Sequence, residues 1–342
     1  MSNIEYYKNG KYGLMIHFGL YSLLGGEYKG KPGPNYAEWI QCYHEIPNQE
    51  MEDLAKVFNP IYFNGEEIVK NALSWGMKYL VVTAKHHDGF ALFDSKVDSF
   101  NVVQASPCGR DLIKELADAC KKHGLKFGVY YSQVIDWHEA NGGGYSVDPK
   151  GAAGPSWDNS WDFKQRKSKD YKKTFANKIL PQIEELLTNY GDLFIAWFDM
   201  PLDSTPEQSK TIYDLVKKHQ PDCLVNSRLG HGMYDYVTLG DNEIPDQVPS
   251  SFKEEIDLNS ISGFKQSKNG LYESACTLNK SWGYSAADQD WKSADHIYKN
   301  RKKLERLGIN YLINVGPDWL GRIPCQSEEI LKEAQRLYEE GF

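Results

Sequence analysis

The chain has 342 residues, 41% of them hydrophobic and 25% charged, a globular composition with enough length for one large domain or two ordinary ones. Its net charge of −8 and pI near 5.7 argue against nucleic acid and anionic membranes as partners, because both bind basic surfaces. The six cysteines are scattered without a C-x-x-C pair, so neither a zinc knuckle nor a disulfide framework is indicated.

The N-terminal residues, MSNIEYYKNGKYG, contain no apolar core of a signal peptide, and no apolar run reaches the roughly 18 residues of a membrane span. We therefore expect a cytosolic protein without a membrane partner. Beyond this segment, short apolar runs alternate with amphipathic helices. Strands are predicted at Tyr12–Gly19 and from Tyr79 in YLVVTAKHHDG. The helix in DLIKELADACKKHG is predicted to end at Gly124, before the strand LKFGVYYS.

The second half of the chain continues the alternation. A long helix around Tyr171–Tyr190 precedes a fourth strand, DLFIAWFDM, and the helix SKTIYDLVKKHQ precedes a fifth, DCLVNSR. YDYVTLGD and YESACTL are weaker strand candidates. A basic helix around Ala294–Leu307, the strand NYLINVGP and a helix around Glu328–Glu340 follow. Eight strands with helices between most of them predict a parallel (β/α)8-like (TIM) barrel, although no clear helix lies between the fifth and seventh strands.

Barrels of this kind carry their active sites at the C-terminal ends of the strands, so the residues that end each strand are site candidates. Polar or aromatic side chains occur at these ends throughout: His17, then His86 and His87, Tyr130 and Tyr131, Trp197 and Asp199, Asn226 and Arg228, Asp241 and Glu243, and Asn314, with Glu273 at the start of the seventh strand. The Gly- and Trp-rich segment Gly142–Phe163 is predicted to be a long loop, and such loops are usually functional or mobile.

Carboxylates are the most reactive candidates on this rim. Asp199 ends the apolar strand LFIAWFDM, where it could bind a metal, act as a base or attack carbon, and a helix N-cap or loop residue is the ordinary alternative. A second carboxylate could come from Asp241, Glu243, Asp246 or Glu273. Two opposed carboxylates about 5–5.5 Å apart would form a retaining glycosidase pair, whereas about 6.5–9.5 Å would suit inversion.

Histidines and aromatic residues are the other candidates. A metal site would need His17, His86, His87 and carboxylates around one ion. Adjacent histidines on a strand point to opposite faces unless the strand breaks, as the following Asp-Gly pair suggests, and hydrogen bonding to a ligand is favoured over metal binding. Glu38 with Trp39 offers a polar contact and a stacking face, although Trp39 could equally pack its own loop.

Eight segments together resemble a known family. They run in order from Lys11 to Pro324: KYGLMIHFGLYS, AEWI, GMKYLVVTAKHHDGFALFDSKVDSFNVV, RDLIKELADACKKHGLKFGVYYS, FIAWFDM, VNSR, ESACTLNKSWGY and YLINVGPDWLGRIP. The chain thereby resembles the α-L-fucosidases of glycoside hydrolase family 29. The resemblance implies a (β/α)8-like barrel and retaining hydrolysis of α-L-fucosides without a metal or other cofactor.

By motif, the resemblance implies that Asp199 is the nucleophile. It also implies a fucose pocket of His17, Glu38, Trp39, His86, His87, Tyr130, Trp197 and Arg228, to which Glu273 and Trp282 are added. Many members carry Thr-Pro-Glu after the sixth strand, whereas YVTLGDNEIPD here matches a shorter subgroup with a Gly-Asp-Asn-x-Ile-Pro signature. In that subgroup the Asp is the acid/base. Asp241 is therefore predicted for this role, with Glu243 and Glu273 in reserve, and its proton is expected to be held by burial or by the Asp199 charge.

The resemblance also bears on domain organisation and substrate. Many members continue into a C-terminal β-sandwich, whereas this chain ends about 18 residues after GRIP, so a single catalytic domain over residues 1–342 is expected. A homo-oligomer could supply a missing wall of the site. Fucosylated oligosaccharides are the expected substrates, with a hint of α-1,6-linked fucosyl-N-acetylglucosamine. The alternatives are a sister glycosidase for another sugar, a metal-dependent hydrolase or isomerase that a chelator would inactivate, and a catalytically silent fucose-binding protein.

Overall fold

The computed structural model describes residues 2–144, 157–164, 169–248, 267 and 269–341, and its centre is one sheet of parallel strands. The strands are β1 (Tyr12–Ile16), β2 (Tyr79–Lys85), β3 (Lys126–Ser132), β4 (Ile195–Asp199), β5 (Leu224–Val225), β6 (Val237–Thr238), β7 (Tyr272–Thr277) and β8 (Ile309–Val315). Their order is β5-β4-β3-β2-β1-β8-β7-β6, and a parallel bridge between Asn226 and Tyr236 joins the two edges. The predicted (β/α)8-like barrel is confirmed.

Helices of the described residues surround this sheet. They are α1 (Asn3–Asn9), α2 (Tyr21–Leu24), α3 (Ile40–His44), α4 (Asn48–Ala55), α5 (Gly65–Ser74), α6 (Leu112–His123), α7 (Tyr171–Thr174), α8 (Leu180–Asn189), α9 (Pro206–His219), α10 (Ala294–Arg306) and α11 (Cys325–Glu340). A π-helical segment, Phe175–Ile179, joins α7 to α8, so the predicted long helix is confirmed. Short 3₁₀ turns lie at Ala37–Trp39 and Ser227–Leu229, and a small hairpin pairs Glu27–Tyr28 with Lys31–Pro32.

The strongly patterned segments fold as the sequence predicts. β1, β2 and β8 are buried over their whole length, which explains their continuous apolar runs. Helix α6 begins after the N-cap Asp111 and ends at Gly124, which takes the left-handed φ of 73° that glycine adopts without strain. The helices before β2, α1 to α5, were not predicted. Of these, α1 precedes the barrel, and its buried Tyr7 packs on Tyr79, which begins β2, so the helix covers the N-terminal end of the barrel.

The fifth and sixth strands are shorter than predicted, with two residues each. The Asn226 side chain accepts the backbone N–H of Phe198 at 2.8 Å and donates to its carbonyl at 2.9 Å. These side-chain bonds occupy the backbone groups of β4 that a longer β5 would pair with, so the chain turns away into the 3₁₀ segment that carries Arg228.

A buried ion cluster supports the loops at the C-terminal face of the barrel. Lys85, at the end of β2, pairs with Asp136 at 2.9 Å, and both side chains are fully buried. Lys178 lies in the π-helical segment and reaches Asp136 at 3.1 Å and Asp98 at 2.5 Å. A Cβ on Gly89, whose φ is 81°, would lie 2.4 Å from Asp136 Oδ1. The Asp-Gly turn after the two histidines is therefore packed directly against this cluster.

Replacing Lys85 tests how much the cluster stabilises the fold. In Lys85→Met the fully buried Asp136 loses one of its two lysine partners and keeps Lys178. We therefore expect a loss of about 3–5 kcal/mol in the free energy of unfolding. Lys210→Met is the matched control, because Lys210 and its partner Asp214 are exposed on α9 and should contribute at most about 1 kcal/mol. Urea unfolding of the three proteins gives both differences, and equal losses would contradict a special role for the buried pair.

Candidate active site

A pocket opens at the C-terminal face of the barrel and collects the predicted site residues. Its lining consists of Met15, His17, Tyr36, Glu38, Trp39, His86, His87, Tyr130, Trp157, Trp197, Asp199, Met200, Arg228, Asp241 and Trp282. Of the residues assigned to the catalytic pair and the fucose pocket, all but Glu273 are among them. The ends of the strands therefore place their side chains in a ring around one cavity.

Asp199 ends β4 and is held in one orientation by three donors. The Tyr130 hydroxyl donates to Oδ2 at 2.8 Å, while the Met200 backbone N–H at 3.0 Å and Arg228 Nη1 at 3.2 Å donate to Oδ1. Met200 has the left-handed φ of 56°, a strained conformation for this residue that carries the chain sharply away after the carboxylate. The carboxylate is therefore oriented toward the pocket at the end of a rigid strand.

Arg228 connects the two predicted catalytic carboxylates. Its Nη1 contacts Asp199, its Nη2 contacts Asp241, and its guanidinium lies 5.0 Å from the centre of the Trp197 ring. The two negative charges raise the pKa of Arg228, although burial alone would lower it. The side chain of Asp241 is 29% exposed, so of the two expected causes that would hold its proton, burial is incomplete. Its Oδ1 accepts an N–H of Arg228.

The three histidines are neutral hydrogen-bonding groups. β2 ends at Lys85, so His86 and His87 both lie beyond the strand and line the pocket, with ring centres 4.0 Å apart. Burial lowers the pKa of His17 to about 4 and places the pKa of His86 and His87 well below the ordinary value. Neutral imidazoles can each donate one hydrogen bond and accept another, which matches hydroxyl groups of an uncharged ligand.

Neighbouring side chains fix the tautomers of two imidazoles. His17 Nδ1 lies 2.7 Å from Asn314 Oδ1, an acceptor, so this nitrogen carries the hydrogen and Nε2 is left as an acceptor. His87 Nδ1 lies 2.7 Å from Ser132 Oγ, whose own hydrogen goes to the Ile135 carbonyl at 2.8 Å. His87 therefore also donates from Nδ1 and leaves Nε2 as the acceptor.

Glu38, Trp39 and Trp282 form a further wall of the pocket. Glu38 lies in the 3₁₀ turn Ala37–Trp39, where its Oε2 accepts the Gly283 backbone N–H at 2.8 Å, and burial raises its pKa to about 7. Trp39 contacts His87 edge to face, with ring centres 4.7 Å apart. The ring centre of Trp282 lies 5.1 Å from that of His17. This wall combines aromatic faces with one hydrogen-bonding carboxyl group.

Glu273 lies deeper in the barrel than predicted, outside the pocket lining. It accepts hydrogen bonds from Trp197 Nε1 at 2.8 Å, the Thr238 hydroxyl at 3.2 Å and the Tyr79 hydroxyl at 3.4 Å. It is the second residue of β7 and is fully buried, so its contacts fix Trp197 from below. The prediction that Glu273 lines the sugar pocket or serves as a reserve acid/base does not fit this placement.

Glu273 also predicts a pH effect on stability. Burial raises its pKa to about 7 from the ordinary 4.5, so between these pH values the unfolded chain ionises while the folded protein keeps the proton. The carboxyl therefore costs stability as pH rises through this window. Relative to wild type, Glu273→Gln should gain on the order of 3 kcal/mol between pH 4.5 and pH 8. Denaturant unfolding at both pH values measures the difference, and Glu329→Gln, at an exposed position on α11, is the control that should show none.

Several rim candidates have structural contacts instead of pocket positions. Tyr131 donates its hydroxyl to Gln182 on α8 at 2.8 Å, and Asn226 bonds the backbone of β4. Glu243, a reserve acid/base in the sequence reading, is half-buried outside the pocket lining and accepts the Gly240 backbone N–H at 3.0 Å. Of the three candidates in GDNEIPD, Asp241 is the carboxylate that the structure brings to the pocket.

Sequence reasoning missed four lining residues: Met15, Tyr36, Trp157 and Met200. Trp157 was named only as part of the predicted loop Gly142–Phe163, of which residues 145–156 lie outside the described residues. Tyr36 lies two residues before Glu38, and Met200 directly follows Asp199, so proximity to a predicted site residue was the available signal. Met15 lies within β1, whose residues are all buried, and nothing in the local sequence distinguishes it from its neighbours as a pocket residue.

Within the described ranges, no three His, Cys, Asp or Glu side chains converge as the ligands of a metal ion would. Across the same residues, none of the helices combines the length and apolarity needed to cross a membrane.

Two carboxylates on one guanidinium, in a barrel pocket of neutral imidazoles and aromatic rings, define a glycoside hydrolase of the (β/α)8 class. The model of the family described as alpha-L-fucosidase matches residues 2–337. The chain therefore belongs to the α-L-fucosidase family.

Solved structures and curated proteins agree with this membership. AlfC from Lactobacillus casei in complex with α-L-fucose is 53% identical, with a TM-score of 0.92 over 99% of this chain and 98% of that chain. The α-L-fucosidase of Vibrio sp. strain EJY3 is 33% identical, with a TM-score of 0.85 over 98% of this chain and 55% of that one. Plasma α-L-fucosidase of Homo sapiens is 25% identical over 351 residues, 96% of this chain. The chain covers 66% of the length of that curated relative.

Proposed function

We propose that this protein hydrolyses terminal α-L-fucosides with retention of configuration, as a single catalytic domain over residues 1–342. The observation that carries the proposal is the arrangement around Arg228, whose guanidinium contacts both Asp199 and Asp241 at the mouth of a sugar-sized pocket. One guanidinium that reaches both carboxylates keeps them close together, as a retaining pair requires, and retention itself is inferred from the family resemblance.

The proposed reaction has two steps. Asp199 attacks the anomeric carbon while Asp241, in its protonated form, gives its proton to the departing glycosidic oxygen. The bond from carbon to the leaving group breaks as the fucosyl ester to Asp199 forms. Asp241 then takes a proton from water, which attacks the same carbon and releases L-fucose and the Asp199 carboxylate. Arg228 stays beside Asp199, where its positive charge stabilises the carboxylate before the attack and again as the ester is cleaved.

The pocket chemistry supports an uncharged deoxy sugar as the group that Asp199 attacks. His17, His86 and His87 offer neutral donors and acceptors for hydroxyl groups, and Glu38 adds a carboxyl oxygen. Trp197, Trp282 and Trp39 supply apolar faces for ring carbons and a methyl group. In this proposal no metal or other cofactor takes part.

The proposed substrates are fucosylated oligosaccharides, with preference for α-1,6-linked fucosyl-N-acetylglucosamine. The preference is supported by a variant of AlfC, 52% identical to this chain, whose structure is in complex with Fucα(1,6)GlcNAc. A cytosolic location and a homo-oligomer that completes one wall of the site stay predictions from the sequence.

Proton NMR of a fresh reaction tests the proposed function. During hydrolysis of 4-nitrophenyl α-L-fucoside, the first free sugar should be the α anomer, with the β anomer appearing later by mutarotation. A β anomer formed first would overturn retention, and no released sugar would leave a binding protein without activity. A panel of fucosyl disaccharides that differ only in linkage then tests the α-1,6 preference through kcat/KM.

A further inference from the structure

A half-buried lysine outside the pocket lining contacts the segment that carries Asp241. Lys292 lies between β7 and α10, directly before Ser293, the N-cap of α10. We propose that Lys292 is a positioning residue for the acid/base: it fixes residues 240–243, called the acid/base turn below, against the end of β7. The inference rests on the proposed function, because it takes Asp241 as the group that transfers the proton.

The ammonium group of Lys292 is surrounded by oxygen acceptors from two parts of the chain. At the end of β7, Nζ donates to the Thr277 carbonyl at 2.5 Å, the Thr277 hydroxyl oxygen at 3.1 Å and the Asn279 carbonyl at 3.2 Å. Its fourth acceptor is Asn242 Oδ1, on the acid/base turn, at 3.0 Å. Four acceptors exceed the three hydrogens of an ammonium group, so the side chain is committed to contacts within the protein.

Asn242 transmits this contact to the backbone next to Asp241. Its Oδ1 also accepts the Thr277 backbone N–H at 2.9 Å, and its own backbone N–H donates to the Ala275 carbonyl at 3.0 Å. Asn242 has the left-handed φ of 59°, which asparagine adopts more readily than most residues. Both its side chain and its backbone are therefore bound to β7 or to Lys292, and they set the direction of the chain directly after Asp241.

The position of Asp241 depends on this turn during proton transfer. Its carboxylate is paired with Arg228, and 29% of its side chain is exposed. Protonation removes the negative charge that Arg228 attracts, so the acid form of Asp241 has to be held by its backbone. That backbone belongs to a turn in which Glu243 bonds Gly240, while the Glu243 carbonyl accepts the Ser274 hydroxyl of β7. Lys292 adds the charged hydrogen bond that ties the same turn to the end of β7.

Two substrates that differ in their need for a proton test this role. For Lys292→Met, kcat/KM on α-1,6-linked fucosyl-N-acetylglucosamine should fall about 10- to 100-fold, the scale of loss when a catalytic group is displaced. On 4-nitrophenyl α-L-fucoside the change in kcat/KM should be less than about twofold, because nitrophenolate leaves without a proton. A lysine that only supported the fold would lower both values together.

A double variant separates positioning from general structural support. In Asp241→Ala the acid is already absent, so adding Lys292→Met should lower kcat/KM for the disaccharide no further. Lys292→Arg keeps a cation for the β7 carbonyls with a different shape, so it should show a smaller loss with the same preference. It also provides the comparison of substrates if Lys292→Met does not fold.

Lys299→Met is the matched control, because Lys299 is exposed on α10 and pairs with Asp295 on the same helix. Its kcat/KM should equal that of wild type on both substrates. Equal losses on the two substrates in the Lys292 variants, a further loss in the double variant, or wild-type turnover of the disaccharide by Lys292→Met would overturn the positioning role. Failure of wild type to release nitrophenol would instead overturn the proposed function, so the two failures are distinguishable.

Discussion

Asp199→Ala should lower kcat for 4-nitrophenyl α-L-fucoside by about 10⁴- to 10⁶-fold, the scale of losses when a covalent nucleophile is removed. The variant leaves the fold intact, because Tyr130 and Arg228, the side chains that bond Asp199, keep other contacts: Tyr130 stacks on Trp197, and Arg228 pairs with Asp241. Release of nitrophenol, followed by absorbance, measures kcat. Asp214→Ala, which removes an exposed carboxylate on α9, is the control and should retain wild-type activity.

Azide gives the Asp199 experiment a stereochemical readout. With the side chain gone, azide can occupy its place and attack the anomeric carbon directly, which should yield β-L-fucosyl azide by a single inversion. A variant that lost activity only through misfolding would form no azide product. If Asp199→Ala retained a tenth of the wild-type kcat, the nucleophile would have to be another residue.

The parts of the site that the sequence predicted are those set by strand order. A parallel barrel brings the ends of its strands to one rim, so His17, His86 and Asp199 could be grouped from their places after apolar runs alone. Glu38 was a candidate because of its place beside Trp39, and the family resemblance added Trp282; both lie in connecting segments. In these cases the residue type and its place along the chain carried enough information to predict its place in the pocket.

The remaining features depend on side-chain contacts that no local pattern records. β5 stops after two residues because Asn226 bonds the β4 backbone, and the 3₁₀ turn that follows aims Arg228 at both carboxylates. Glu273 begins the seventh strand, and its bonds to Trp197, Thr238 and Tyr79 place it outside the pocket lining. Tyr36 reaches the pocket from a connecting segment whose position sequence order does not specify.

The two carboxylates that Arg228 contacts differ in how many other groups hold them. Arg228 donates to both carboxylates, and Asp199 also accepts the Tyr130 hydroxyl and the Met200 backbone N–H. In the proposed mechanism the carboxylate held by more contacts is therefore the nucleophile, and the more exposed one is the acid/base.

Asp241→Ala should separate the two chemical steps. On α-1,6-linked fucosyl-N-acetylglucosamine, whose leaving group needs a proton, we expect kcat/KM to fall about 10²- to 10⁴-fold, the range of a general acid. On 4-nitrophenyl α-L-fucoside the loss in kcat/KM should be much smaller, because nitrophenolate leaves without a proton. The second step still lacks its base, so the fucosyl ester should accumulate and produce a burst of nitrophenol before a slow steady rate.

Azide should then accelerate the steady rate of Asp241→Ala, since it attacks the ester without needing a base, and the product should be α-L-fucosyl azide. The opposite azide anomers from Asp241→Ala and Asp199→Ala would assign the two roles independently of rate. Glu243→Ala is the control for the neighbouring carboxylate, which is held by the Gly240 N–H outside the pocket lining, and it should cost less than about tenfold on either substrate. Near-normal turnover of the disaccharide by Asp241→Ala would show that another group donates the proton.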